Sequence, residues 1–433
     1  MFFSPLARAI TLATAGGIFL LAPSLATADF IKDSKASLGF RNLYMNQDTR
    51  SGASSNATKT KEEWSQAFIL RYESGFTEGT VGVGLDVYAA TGIKLDSGPN
   101  RTPDSFPQQR NGKSVDSFGK LGGTAKLKIS ETVLKVGSLM PRLPVVQSNL
   151  EGRLLPQIFT GGILTSNDIN GLTATLGHLD RVNQRSSSNH ERMQMNVLGK
   201  GLRDKKGNTN LTGQNRANYS SNSFDLANLN YKWSDSLATG YSFGRLHDMY
   251  KQHVVDVVHV HPLGEKRSLK SDLRFSRSTN DGDFNVDNKA FSGKVTYSFG
   301  FNKISLNYQK MTGKTGFAYI QGADPYLVNY VTNRDFAAKD EKSWQVRHDY
   351  NFAGWGIPGL TVFNRYTKGT GADLGRGRSE GREWERDFDI TYAFQEGPLK
   401  NFSMRWRNAT VRSNIFKDLD DNRIILSYSL ALL

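Results

Sequence analysis

The feature that most constrains this chain is an alternation of period two, recurring in short stretches from end to end. In Asn401-Phe-Ser-Met-Arg-Trp-Arg-Asn408, Phe402, Met404 and Trp406 fall on one parity, Ser403, Arg405 and Arg407 on the other. Successive side chains of a strand point to opposite faces, so this stretch is a strand with one oily and one cationic face. Val81, Val83, Leu85 and Val87 alternate with Gly82, Gly84, Asp86 and Tyr88. The same pattern returns at Phe291–Phe299, Ile304–Tyr308, Trp344–Phe352 and Phe388–Phe394. The last residues, from Arg423 to Leu433, carry Ile424, Leu426, Tyr428, Leu430 and Leu432 on one unbroken apolar parity.

The segments between these strands are of two kinds. Gly300–Asn302 and Trp233–Ser236 are tight, whereas Asn46–Lys61, Asp96–Lys113, Ser186–Ser223, Thr312–Lys342 and Thr367–Gly381 are long and polar. Short turns at one end and long loops at the other describe a transmembrane antiparallel β-barrel, an all-β fold. Mean hydropathy, at −0.48, would suggest a water-soluble protein. The average misleads, because a membrane barrel sets lipid-facing apolar residues against lumen-facing polar ones. With strands of about 9–11 residues plus mixed connections, the chain accommodates 16–18 strands and a lumen. Aromatics near strand ends, such as Trp64 and Tyr72 or Trp384 and Phe394, are placed as interfacial girdles would be. A secreted β-sandwich would alternate as well, with its aromatics buried in a core.

The chain begins as an exported protein does. Arg8 precedes an apolar run from Ala9 to Leu21, and Ala26-Thr27-Ala28 offers small residues for cleavage. Residues 1–28 are therefore expected to be a signal peptide, with 29–433 the barrel. There is no cysteine, so the exported chain needs a large sheet or a lipid surround instead of disulfides.

Net charge is +14, from 55 Lys+Arg against 41 Asp+Glu. Such an excess suits lipid headgroups or acidic solutes; no zinc, RRM or helix-turn-helix pattern suggests nucleic acid. Parity places the cations. A lipid-facing Arg near the bilayer midplane costs about 2–4 kcal/mol, so Arg405 and Arg407 belong in the lumen. The same reasoning sends Arg41, Arg274, Arg347, Arg365, Lys126, Lys128, Lys294 and Arg423 inside, together with Asp86, Asp272, Asp349, Asp387 and Asp389. Each could be an ordinary charge pair on a wet surface, worth little. As a set, guanidinium forks at successive depths give an anion several weak sites to step between.

Lys135-Val-Gly-Ser-Leu-Met-Pro-Arg-Leu-Pro-Val-Val-Gln-Ser-Asn-Leu-Glu-Gly-Arg-Leu-Leu-Pro-Gln-Ile-Phe-Thr-Gly-Gly162 resembles the third-loop signature of the OprD-like, or outer-membrane carboxylate channel, family of pseudomonads. Further similar stretches are Ser37–Tyr44, Gly177–Arg185, Lys342–Trp344, Gly356–Thr361 and Arg405–Arg407. The terminal Leu433 departs from the Phe that most such barrels carry. The resemblance implies an 18-stranded barrel in the outer membrane, monomeric or loosely trimeric, among lipid and lipopolysaccharide. Its third loop (about 139–171) and seventh loop (about 312–342) would fold inward to make an eyelet. It further implies that Arg153 enters the constriction and that Arg41, Arg181, Arg185, Arg405 and Arg407 occupy wall and ladder positions, with Arg50 near the eyelet. Asp324, Tyr326 and Asn329 would line the opposite side. Pro141, Pro144 and Pro156 fit an irregular, stiffened segment.

The implied function is passive uptake of small organic acids, cyclic or aromatic ones favoured, with no cofactor and no catalysis. Basic amino acid selectivity is the alternative within the family; a general diffusion porin or a barrel hydrolase are alternatives outside it. No spaced nucleophile motif supports a hydrolase. His253, His259 and His261 share a parity that would permit a metal site, although a half-polar strand with His toward the lumen or rim accounts for them.

Overall fold

The computed structural model describes residues 27–50, 60–198, 201–208, 219–375 and 377–433. The expected export signal falls almost wholly on 1–26, outside the described residues. A short helix, Thr27–Lys32, precedes the first strand.

Eighteen strands form one antiparallel sheet in which each pairs with its neighbours in sequence. We number them β1 (Lys35–Thr49), β2 (Thr60–Glu73), β3 (Gly82–Asp96), β4 (Ser117–Ile129), β5 (Thr132–Leu139) and β6 (Ile158–Ser166). They continue as β7 (Leu172–Asn183), β8 (Phe224–Lys232), β9 (Leu237–Leu246), β10 (Tyr250–Pro262), β11 (Arg267–Asn280) and β12 (Asp287–Phe299). The last six are β13 (Asn302–Gly313), β14 (Lys342–Asn351), β15 (Leu360–Ala372), β16 (Gly381–Ala393), β17 (Phe402–Ser413) and β18 (Leu419–Ala431). Pairing of β1 with β18, from Ser37↔Ala431 to Thr49↔Leu419, closes the cylinder and leaves no edge strand. The apolar face of the chain's end is thus the closing seam.

The connections sort as the sequence predicts. At the end holding the termini they are short, as at 130–131, 233–236 and 300–301; at the other end lie 97–116, 140–157, 184–223 and 314–341. The outer face is apolar: Met404 and Trp406 are exposed there, as are Val83, Leu121, Leu176, Phe275, Leu306 and Val346. Aromatic rows border it. Tyr350, Phe352 and Trp355 interlock by their edges at the short-turn end, and Trp344, Tyr366 and Trp384 form a row near the other. Amphipathic rings at both margins of an apolar band mark the two membrane interfaces.

The lumen is not simply water-filled. Near the long loops the inward parity turns apolar, and loops pack against it. Leu154 and Leu155 of the third loop and Phe106 of the second are buried against Leu43, Ile69, Tyr88 and Ile425 of the wall. A larger cluster joins wall residues Phe159, Phe224, Leu246 and Tyr250 to Met193 and Met195 of the fourth loop and Ile320 and Ala323 of the seventh. Met193–Val197 pairs as a strand with Ala318–Ile320, so the fourth loop braces the seventh. Such apolar burial, at about 25 cal/mol per Å², fixes loops that would otherwise stay solvated.

The third loop is shorter than expected. Residues 158–166, within the expected 139–171, are β6, and 167–171 form a turn at the opposite end of the barrel. The loop proper is 140–157. It starts inside the barrel because β5 is only eight residues long, ending at the pair Leu139↔Phe159. Pro141 follows two residues on, where a missing N–H forbids further ladder bonds. Gly161, at the bulge in the β6–β7 pairing, has φ 154°, and a Cβ there would lie 2.1 Å from the His178 carbonyl. Only glycine lets β6 approach β7 so closely.

Candidate functional site

A cavity of about 560 Å³ lies inside the barrel between the third and seventh loops and the wall formed by β14–β18. Its lining includes Arg153, Arg185, Arg347, Arg365, Arg405, Arg407 and Arg423, against Glu151, Asp324 and Asp335 as the lining carboxylates. The geometry of the wall arginines follows from strand alternation plus a carboxylate placed to hold each of them.

Arg405 and Arg407 stand two residues apart on β17 and share one counterion. The Asp389 carboxylate, nearly fully buried on neighbouring β16, accepts from Arg405 Nε at 2.8 Å and from Arg407 Nε at 2.9 Å. Both bonds use the inner N–H, so the outer amino groups of Arg407 have no carboxylate partner among the described residues. Arg405 Nη1 comes within 3.7 Å of Glu151 on the third loop. Arg423 on β18 is gripped by Asp421, with Nη2–Oδ2 at 2.7 Å, and also reaches the Gly152 carbonyl at 3.3 Å. This pair is almost inaccessible, 3% and 1% exposed, which makes it an anchor of the loop as well as a charge. Arg365 donates to Asp387 at 2.9 Å, while Arg347 is held by Asp349 and lies over the Phe363 ring, 4.0 Å from its centroid. Charge-assisted pairs of this kind fix a guanidinium's orientation, leaving its other donors for a ligand.

The third loop supplies Arg153, whose Nε and Nη1 donate to the carbonyls of Pro103 and Gly152 at 3.0 and 2.8 Å. Burial, then the neighbouring Arg423 and Arg185, lowers its pKa to about 9. Arg185 reaches Asp104 of the second loop at 3.1 Å. Arg41 lies behind this cluster; its Nη2 donates to the Glu151 carbonyl at 2.9 Å, and its buried Nε has no hydrogen-bond partner among the described residues.

The seventh loop forms the opposing side. Asp324 accepts from Asn149 at 2.6 Å and from Tyr330 at 2.8 Å, tying this loop to the third. Asp335 accepts from the Tyr319 hydroxyl, and burial raises its pKa to about 6. One side of the cavity is therefore rich in guanidinium, the other in carboxylate and phenol.

Several expected site residues lie elsewhere. Arg50 sits at the rim, ion-paired to Asp48 and Asp420 at 3.2 and 2.7 Å, too far along β1 to reach the cavity. Arg181 pairs with Thr160 in the β6–β7 ladder and lines no part of the cavity. Asn329 is fully buried: its Nδ2 donates to Ser343 at 2.9 Å and its N–H to Gln309, so it pins the seventh loop to the wall instead of facing solute. Tyr326 stacks on Arg274, 3.8 Å from guanidinium to ring centroid, and lines a separate pocket of about 360 Å³ with Asp256 and Arg142. Arg274, bound to Asp272 at 2.7 Å, thus stands behind Tyr326 and away from the first cavity. His253 and His259 lie on the outer parity with Val255, not toward the lumen, and His253 meets the Tyr241 hydroxyl at 2.8 Å.

Sequence reasoning did not single out Asp335, Tyr330, Asn149 or Glu151. Parity carries no information in irregular loops, and Glu151 beside Arg153 in Leu150-Glu-Gly-Arg153 was the one local hint.

The chain matches the family described as "outer membrane porin, OprD family" over residues 28–432. It belongs to the OprD family. The porin-like protein GalP of Pseudomonas putida is 34% identical, with 96% of this chain and 97% of that protein covered. The solved structure of Pseudomonas aeruginosa OpdQ is 51% identical and superposes with a TM-score of 0.83, over 94% of this chain and 100% of OpdQ. OpdK of the same organism, solved with vanillate, is 32% identical with a TM-score of 0.83, over 93% and 100% of the two chains. As an OprD-family porin the chain resides in the bacterial outer membrane, with its long loops outside and its short turns toward the periplasm, and forms a path for small solutes.

Proposed function

We propose that this porin carries small carboxylates selectively and without energy input, the solute passing between the seventh loop and the arginines of β14–β18. The observation that carries the proposal is the Arg405–Asp389–Arg407 arrangement. The inner N–H groups are spent on a buried carboxylate, which locks both forks, while outer N–H groups stay available at the cavity. A transiting carboxylate finds preorganised donors, yet Arg405 and Arg407 already share the Asp389 counterion, so neither holds it too tightly. Binding strong enough to enter and weak enough to leave is what a channel requires. Vanillate in OpdK supports an aromatic or cyclic acid as the solute class.

A second reading, basic amino acids, is favoured by one observation: Asp324, Asp335 and Glu151 also line the cavity and would receive an ammonium or guanidinium. A proteoliposome uptake panel of benzoate-like acids, sugar acids and arginine separates the two. Benzoate-like uptake that falls in Arg405→Gln/Arg407→Gln supports the carboxylate reading. Uptake of arginine alone replaces it with the second, and equal uptake of all solutes would mark a general diffusion porin.

A further inference from the structure

The outer face carries a row of cations that solute transport does not use. On the long-loop side, Lys289 (β12), Lys310 (β13), Lys342 (β14), Lys368 (β15) and Arg386 (β16) all occupy the outward parity and all are exposed. The strand register makes them contiguous. Lys310 and Lys342 are direct cross-strand partners. Lys289 faces Thr312, so Lys310 is its diagonal neighbour; Lys342 faces Thr370, which makes Lys368 the next. Lys368 faces Trp384, two residues from Arg386. Adjacent strands are about 4.8 Å apart, so the five cations form one band about 20 Å wide.

Three features set this band apart from ordinary solvated lysines. Like charges directly opposite one another destabilise a sheet, yet Lys310 and Lys342 face each other, and no carboxylate lies within ion-pair distance of any of the five among the described residues. Other outward cations on the same rim are neutralised: Arg245 and Lys251 by Asp281, Arg412 and Arg50 by Asp420. Finally, the band interleaves with the aromatic row of Trp344, Tyr366 and Trp384: Lys368 stands cross-strand from Trp344 and Trp384, Arg386 from Tyr366, and successive rings of the row are 5.6 and 5.8 Å apart. Interfacial aromatics lie at headgroup level, which puts the cations where the outer leaflet presents its phosphates.

We propose that Lys289, Lys310, Lys342, Lys368 and Arg386 form a binding site on the barrel's outer wall for the phosphates of an anionic glycolipid in the outer leaflet. Ammonium groups serve as point-charge ligands for phosphate, the lipid's negative charge relieves the Lys310–Lys342 repulsion, and its acyl chains lie along the apolar band below. The site is separate from the pore and stands whether or not the carboxylate reading does.

The test uses the full refolded chain in a zwitterionic detergent, mixed with bisphosphorylated lipid A, its dephosphorylated form or phosphatidylglycerol, then gel-filtered in EDTA to remove bridging divalent ions. Bound lipid is quantified by mass spectrometry. Wild type retains bisphosphorylated lipid A, and Lys310→Gln/Lys342→Gln/Lys368→Gln retains at least tenfold less, with Lys→Arg at the three positions restoring it. Heat-modifiable mobility and carboxylate uptake remain as in wild type, since no pore residue changes. If the triple variant does not fold, Lys310→Gln alone and a salt titration of the wild-type complex take its place. Equal retention by wild type and variant overturns the site. Retention of the dephosphorylated lipid or of phosphatidylglycerol at the same level overturns the glycolipid assignment, and displacement by millimolar inorganic phosphate would show a free-phosphate site instead.

Discussion

Two stretches of the same inner wall carry opposite chemistry. On β16–β18 the inward positions hold Asp389, Arg405, Arg407, Asp421 and Arg423; on β8–β10 they hold Phe224, Leu226, Leu246, Tyr250 and Val254. Both stretches alternate, β8–β10 pointing their even-numbered set into the barrel and β16–β18 their odd-numbered set. The difference is what meets them. Over β8–β10 the fourth and seventh loops fold down and exclude water, so apolar side chains stabilise the plug. Along β16–β18 the third and seventh loops touch the wall but leave a cavity between them, where charges stay solvated or paired. Facing the lumen therefore does not mean facing water.

The largest expected effects come from breaking each stretch at its centre. Asp421→Ala strands the buried Arg423 charge and should cost about 3–5 kcal/mol, read as a lower unfolding temperature in detergent. Phe224→Ala should cost a similar ~3–5 kcal/mol through the cavity it leaves, but with ion selectivity largely kept. If Phe224→Ala shifted selectivity as much as Arg407→Gln does, the division into plug and path would be wrong.

Next comes the path itself. Arg405→Gln/Arg407→Gln should lower carboxylate uptake by about tenfold or more, since charge-assisted hydrogen bonds are worth about 1.5–3 kcal/mol each, while the barrel still assembles. Asn329→Ala should loosen the seventh loop's attachment by about 1–3 kcal/mol, the cost of leaving buried partners unsatisfied, and increase fluctuations in single-channel current.

The pH response should be smaller. Asp335 is an anion above about pH 6 and neutral below it. Falling pH therefore removes negative charge from the wall opposite the arginines, so the anion-to-cation permeability ratio should rise a few-fold between pH 7 and 5. Asp335→Asn should flatten that rise. The smallest effect belongs to Arg50→Ala, an exposed rim pair worth about 0–1 kcal/mol, with reversal potentials unchanged.

Much of the architecture was legible beforehand because lipid enforces it. Arg405 had to face inward, since a guanidinium among acyl chains has no partner, and Met404 and Trp406 had to face out. The inward loop came from the family resemblance, which Pro141, Pro144 and Pro156 fit as breaks in strand pairing, but its end was not legible: the run into Ile158–Ser166 reads as loop until Gly161 is seen to carry a bulge against β7. Arg50 and Asn329 show the limit within the site. Position along a strand decides whether a cation reaches the cavity or the rim, and burial under a loop decides whether an amide meets solute or a serine hydroxyl. The Asp389 counterion was visible by parity as an inward carboxylate, though not as the partner shared by two arginines.

Sequence alone determined the barrel, its exposed band and the set of cations denied to lipid, because one periodicity and one desolvation cost decide all three. Only the tertiary structure decided which inward residues line a passage, which become core, and how Asp324, Asp335 and Tyr330 come to oppose arginines far away in the chain. Loop placement arises from many small apolar contacts between distant segments, such as Met195 with Ile320, and no local pattern encodes their sum.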